Sequence, residues 1–160
     1  MDSFESIYAK YYKKLYQFIY RMSGDTSLSE ELTQDTLYKA FLHIDQYREK
    51  SSIYTWLCQI AKNNYLQEYK RRKRICNIED QQEVSDIHNL EQEVIQQQMY
   101  LSLNREIQNL PEPYLSVCSL RIYAELSFSE IAAEYNKSES WAKVTFFRGK
   151  AMLIERMNLT

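Results

Sequence analysis

Glycine and proline are nearly missing from this chain, with two of each among 160 residues. Strands joined by tight turns draw on both, so their scarcity speaks against a β architecture and for long helices with few breaks. Cysteine and histidine are also sparse. Cys58, Cys76 and Cys118 are scattered, and His43 and His88 stand alone. No CxxC pair or His/Cys cluster exists, which argues against a metal site. An odd, dispersed set reads as reduced thiols in a cytoplasmic protein. No apolar run approaches the roughly 20 residues of a membrane span. The first residues, MDSFESIYAKYY, are acidic at the start and lack the apolar core of a signal peptide. Paired carboxylates, a nucleophile–base set and a Gly-rich phosphate loop are missing too. Enzymatic chemistry, a metal and a cofactor therefore drop out of the reading.

Aromatic residues are plentiful at 14%, with 14 tyrosines among them, and hydrophobic residues reach 44%. That composition is globular. The net charge of −2 hides an asymmetry. Residues 1–75 carry 13 Lys/Arg against 9 Asp/Glu, residues 76–110 carry 1 against 7, and residues 111–160 carry 6 of each. The N-terminal half is basic and the acidity is concentrated in the middle.

The stretch Ile53–Arg74, IYTWLCQIAKNNYLQEYKRRKR, organises the rest. Ile53, Trp56, Leu57, Ile60, Ala61, Asn64 and Tyr65 recur at helical spacing and share one face. Lys70, Arg71, Arg72, Lys73 and Arg74 follow without interruption. A helix C-terminus favours cations, yet five adjacent positive charges repel one another. A densely negative partner is the simplest reason to keep them, which marks an aromatic and basic nucleic-acid element. Trp56 stays open between a core residue, a wedge at a duplex edge and both at once.

The spacing predicts a first helix over 2–22, with Phe4, Ile7, Tyr8, Tyr11, Leu15, Phe18, Ile19 and Met22 inward and Gly24 as a left-handed cap. A capping box, Ser27-Leu28-Ser29-Glu30, opens the second helix. It runs to about Ile44 and buries Leu28, Leu32, Leu37, Ala40, Phe41 and Ile44. Residues 45–52 form a polar loop, and Ser51 or Ser52 caps the central helix. An acidic linker is expected over 76–92. Helical pattern then returns and stops at Pro111, and Pro113 starts the next helix. Ser127-Phe128-Ser129-Glu130 is a further capping box. It opens a short helix, Asn136 takes the left-handed turn, and Ser138 or Ser140 caps a longer helix with Ala142, Phe146, Gly149 and Leu153 inward. A short capped helix, a tight turn and a longer helix with a polar, basic first half form a helix-turn-helix. The expected fold is all-α, in two small helical domains over 1–75 and 93–160.

These pieces, in this order, resemble bacterial RNA polymerase sigma factors of the extracytoplasmic-function (ECF) subfamily across nearly the whole chain. Leu32-Thr33-Gln34-Asp35-Thr36 with Lys39-Ala40-Phe41 is similar to the family's region 2.2. Trp56-Leu57, Ile60-Ala61 and Asn63 are similar to regions 2.3 and 2.4. Leu110-Pro111, Leu126-Ser127-Phe128, Glu130-Ile131-Ala132, Ser138 and Lys143 are similar to region 4.

The resemblance implies a non-catalytic subunit that binds core RNA polymerase, directs it to promoter DNA and helps melt it for transcription initiation. It implies polymerase contacts at Glu31, Gln34, Asp35 and Tyr38. It implies minus-ten contacts at Tyr47, Arg48 and Lys50 in the loop, at Trp56, Lys62 and Asn63, and along Lys70, Arg71, Arg72, Lys73 and Arg74. It implies minus-thirty-five contacts at Ser138, Ser140, Trp141, Lys143, Thr145 and Arg148. It also implies an anti-sigma factor as a partner. The chain departs from the family pattern in the last helix: Trp141 replaces a small polar residue, Ala142 a Val, Thr145 a common Arg, and Asn136 the usual turn Gly. Loss of a guanidinium at 145 removes a possible bidentate guanine contact. The competing reading is a free-standing helix-turn-helix regulator that binds operator DNA without polymerase.

Overall fold

The computed structural model describes residues 3–78 and 91–158. The described residues form seven α-helices and one short 3-10 turn. In chain order these are α1 (Phe4–Ser23), α2 (Thr26–Leu42), the 3-10 turn Ile44–Gln46, α3 (Ile53–Ile78), α4 (Glu91–Gln108), α5 (Tyr114–Ile122), α6 (Phe128–Glu134) and α7 (Glu139–Asn158). The all-α expectation holds among them.

Helices α1, α2 and α3 pack on one another as the first unit. Leu15, Phe18, Ile19, Met22, Leu37, Leu57 and Ala61 are sealed in its core. Each fully buried aliphatic or aromatic side chain of this kind stabilises the fold by roughly 1.5–3 kcal/mol. Tyr8, placed inward by its spacing, is instead exposed, because it lies at the edge of the α1 stripe, where its ring meets the tilted Tyr12 ring at 5.4 Å. Phe41 is half exposed and meets the Phe4 ring at 4.9 Å.

Helix ends follow local chemistry with one change. Gly24 adopts φ 68°, and its N–H donates to the Tyr20 carbonyl at 2.8 Å. Helix α2 then starts two residues earlier than the Ser27 capping box predicts. Asp25 is its N-cap and accepts from the Leu28 N–H at 3.0 Å. A carboxylate at a helix N-terminus faces the positive end of the helix dipole, and the left-handed Gly24 delivers the chain straight to Asp25. Ser52, the second of two candidates, caps α3 by accepting from the Thr55 N–H at 3.1 Å. Helix α3 continues to Ile78, past the point where a linker was expected. Most of that linker, residues 79–90, lies outside the described residues.

Helices α4–α7 make the second unit, around Ile107, Val117, Cys118, Leu120, Ile131, Ala142 and Leu153. The Ser127–Glu130 capping box is formed on both sides. Asn136 has φ 56°, as a left-handed turn requires, and Ser138 caps α7 by accepting from the Trp141 N–H at 3.0 Å. Gly149 lies where α7 crosses α5. A Cβ there would come within 2.6 Å of the Cys118 sulfur. Both glycines of this chain thus occupy positions that a larger residue would strain.

The two units meet along α3, whose middle faces α5 and α6. Tyr65 joins them, donating its hydroxyl to the Met22 carbonyl at 3.2 Å and accepting from Asn104 of α4 at 2.8 Å.

Candidate nucleic-acid interface

Three surfaces carry the residues singled out above. The first is on α2. Glu31, Gln34, Asp35 and Tyr38 line one shallow depression with Ser27 and Glu30. Tyr38 is 60% exposed. Asp35 pairs with Lys39 at 3.4 Å, and Lys39 in turn donates to Asn64 at 2.8 Å, which donates to Thr36 at 3.1 Å. That chain of contacts ties the acidic face of α2 to α3. Asn64, read by spacing as part of the α3 apolar face, is a buried amide whose role is to join these helices.

The second surface is the loop after α2 and the first half of α3. Gln46, Tyr47, Arg48, Lys50, Ser51 and Trp56 line a small cavity of about 170 Å³, with Glu134 as a further wall. The Tyr47 and Trp56 rings lie 5.3 Å apart and are tilted by 42°. The Tyr47 hydroxyl donates to the Ser51 carbonyl at 2.5 Å, which fixes the loop's curvature. Burial, with Glu49, Tyr11 and Glu134 nearby, raises the Tyr47 pKa, so it is a neutral phenol at physiological pH. Trp56 is half buried. One part of it packs on the core and another lines the cavity beside Tyr47.

Asn63 is exposed on α3. Lys62 is not: it is 5% exposed and its ammonium donates to Ser116 of α5 at 2.7 Å. Desolvation lowers its pKa, and Glu112 and Glu134 oppose that shift. The expectation of an open phosphate contact at Lys62 is therefore not met in this conformation, because α5 covers the side chain.

The basic run is exposed but unevenly free. Arg71 and Arg72 both pair with Glu68, at 2.6 and 2.7 Å, and Arg72 also lies 3.7 Å from Asp25. Hydrogen bonds from Arg71 and then Arg72 pull the Glu68 pKa down to about 2, against a desolvation effect of opposite sign. Lys73 approaches Asn109 at 3.5 Å. Lys70 and Arg74 make no ion pair among the described residues. Glu68 escaped notice in the sequence, although its positions three and four before Arg71 and Arg72 are the spacing of helical ion pairs.

The third surface is α7. Ser138, Ser140, Lys143 and Arg148 are exposed, while Trp141 is half buried against Tyr135, 5.8 Å away, with Lys137 over its ring. Thr145 is a correction. It is 5% exposed and faces the core beside Ala142 and Gly149. A residue three after one core position and four before another lies on the buried face of a helix, so its hydroxyl is not presented outward. Phe147 and Val144 are exposed instead, at 55% and 47%.

The chain is similar to known proteins over nearly its whole length. The family model for Sigma-70 region 2 matches residues 7–75. The RNA polymerase sigma factor YlaC of Bacillus subtilis is 32% identical over 164 residues, covering 98% of this chain and 92% of YlaC. The ECF RNA polymerase sigma factor SigM of the same organism is 29% identical, covering 93% of this chain and 91% of SigM. In fold, the chain is similar to the sigma factor RpoE of Bartonella quintana, solved in complex with the anti-sigma factor NepR. The TM-score there is 0.59 at 21% identity, covering 97% of this chain and 96% of RpoE. With a relative above 30% identity spanning both chains almost completely, and others named as ECF sigma factors, this chain belongs to the RNA polymerase sigma factors of the extracytoplasmic-function subfamily.

Proposed function

We propose that this sigma factor binds core polymerase through the α2 face, holds the exposed minus-ten strand at the 45–52 loop and α3, and reads duplex DNA with α7. The observation that carries this reading is the aromatic-walled cavity at the head of α3, with Arg48 and Lys50 beside Tyr47 and Trp56. Binding a single strand calls for π surfaces for unstacked bases and cations for phosphates, and a flipped base needs a pocket with stacking and polar contacts. A neutral Tyr47, the Trp56 ring and Ser51 are of that kind. Lys70 and Arg74 extend the positive track along α3.

On the α7 surface, Ser138, Ser140, Lys143 and Arg148 are suited to duplex phosphates and base edges. Trp141 acts there as a packing residue, and Thr145 acts through the core. The protein contributes specificity rather than catalysis, and works in the cytoplasm where polymerase is found. An anti-sigma factor is a partner by the same reasoning, supported by the NepR-bound relative.

Run-off transcription with purified core polymerase tests the proposal. Transcripts from a genomic fragment library should require both core and this protein. Tight promoter binding by the protein alone, with no core-dependent transcript, would establish the free-standing regulator instead.

A further inference from the structure

Helix α7 carries apolar side chains on two opposite faces. Ala142, Thr145, Gly149 and Leu153 are buried against the second unit. Val144 and Phe147 lie about half a turn round the helix from them, at 3.6 residues per turn, and are 47% and 55% exposed. Ser140 and Ala151, both exposed, fall on the same outward line. Their spacing of four, three and four residues is that of one helix face. Lys143 borders this line on one side and Arg148 on the other, and both are exposed. The result is an apolar centre between two cationic margins, with a hydroxyl at its N-terminal end.

The Phe147 ring is fixed in its outward position. It lies 5.2 Å from Phe146 and 6.3 Å from Phe128, and the Lys150 ammonium sits 5.9 Å from its centroid. Val144 and Phe147 are the sixth and ninth residues of α7, in the half of a recognition helix that meets base edges in the major groove. Neither side chain can form a hydrogen bond. The apolar group that a base pair presents in that groove is the thymine C5 methyl. Along the helix axis the two residues are about 4.5 Å apart, comparable with the roughly 3.4 Å between neighbouring base pairs. Ile154, also exposed at 52%, is about 15 Å beyond Val144. That exceeds the groove width of about 12 Å, so Ile154 falls outside the contact.

We propose that Val144 and Phe147 are specificity-determining residues that read thymine methyl groups in the minus-thirty-five duplex. This inference rests on the reading of α7 as the duplex-reading helix. Charge favours DNA over a second copy of the chain as the partner of this face. Two copies placed face to face would bring Lys143, Arg148 and Lys150 of each against those of the other, whereas phosphates on the groove walls neutralise them. Thr145 is turned to the core, so the centre of the reading face is apolar contact rather than hydrogen bonding.

The test uses the holoenzyme, assembled from core polymerase and this protein. A promoter library randomised over the upstream element is transcribed, and the active templates are sequenced. Thymines should be enriched at neighbouring positions of the element. Replacing those thymines with deoxyuridine keeps base pairing and removes only the methyl groups. Burial of one such group corresponds to about fourfold in an equilibrium, so wild-type holoenzyme should bind about fourfold more weakly per methyl removed. Val144→Ser and Phe147→Ser should each lose discrimination at one position, binding the thymine and deoxyuridine templates there within about twofold. Ile154→Ser should discriminate as wild type does. Circular dichroism verifies that each variant is folded. Equal binding of both templates by wild type would overturn methyl reading. If Lys143→Ala and Arg148→Ala still weaken binding to the upstream element, α7 remains the duplex reader. If neither does, that reading and this inference fall together. Loss of a sedimenting dimer in Val144→Ser, Phe147→Ser and Ile154→Ser alike, with discrimination unchanged, would assign the stripe to a second copy and overturn the proposal.

Discussion

At the scale of single residues, Trp56 and Glu68 separate roles that the sequence merges. Trp56 is both a packing residue and a cavity wall. Base–aromatic stacking contributes about 1–3 kcal/mol per base. Trp56→Ala should therefore lower open-complex formation by about tenfold or more, with closed-complex binding within about twofold. Footprinting of both complexes checks this, and an equal loss in both would make the ring purely structural. Glu68 makes a different prediction. Its folded pKa, about 2, lies below the ordinary 4.5 because Arg71 and Arg72 hydrogen-bond the carboxylate. Its contribution to stability is complete above pH 4.5 and disappears as pH falls towards 2. The melting-temperature gap between wild type and Glu68→Gln should close over that interval, and a gap independent of pH would contradict the pairing. Gly149 supplies a third. Gly149→Ala pushes a methyl onto the Cys118 sulfur, and overpacking of this kind costs about 1–3 kcal/mol. Chemical denaturation reads the loss directly.

At the scale of elements, helices were legible wherever apolar spacing and caps spoke together. The α6 box, the Asn136 turn and the Ser138 cap follow from neighbouring residues alone. The start of α2 was not legible in the same way. Two overlapping caps, Asp25 and Ser27, competed, and the left-handed Gly24 decided between them. On α7 the expected stripe of Ala142, Phe146, Gly149 and Leu153 was too narrow, and Thr145 belongs to the buried face. A side chain's outward direction depends on which neighbour covers the helix, and spacing cannot name that neighbour. Thr145→Val should consequently leave minus-thirty-five duplex affinity within about twofold, while Lys143→Ala should weaken it and reduce its salt slope by about 1. Along α3, single-strand binding changes by a slope of about −0.7 per phosphate neutralised. Replacing Lys70 and Arg74 with Gln should flatten that slope more than Arg72→Gln, whose guanidinium already faces Glu68 and Asp25. Equal effects from all three would mean that the internal pairs yield freely to DNA.

At the scale of the molecule, the order of three surfaces was readable, because each is a local pattern on its own helix. Their mutual placement was not. Ser51 and Glu134 are 83 positions apart, Gln59 and Tyr135 76, and Lys62 and Ser116 54. Contacts over such separations leave no periodicity in a sequence. They also bury Lys62, which looked like a free cation from its position alone. The proposed reading puts polymerase docking, strand holding and duplex reading on one chain, and it predicts that the strand is captured only with core present. Permanganate reactivity of thymines in the minus-ten region tests this most directly, on templates that the protein renders active in run-off transcription. Reactive thymines should appear with core polymerase and this protein together, and with neither alone. Reactivity with the protein alone, or none with the two combined, would contradict the account.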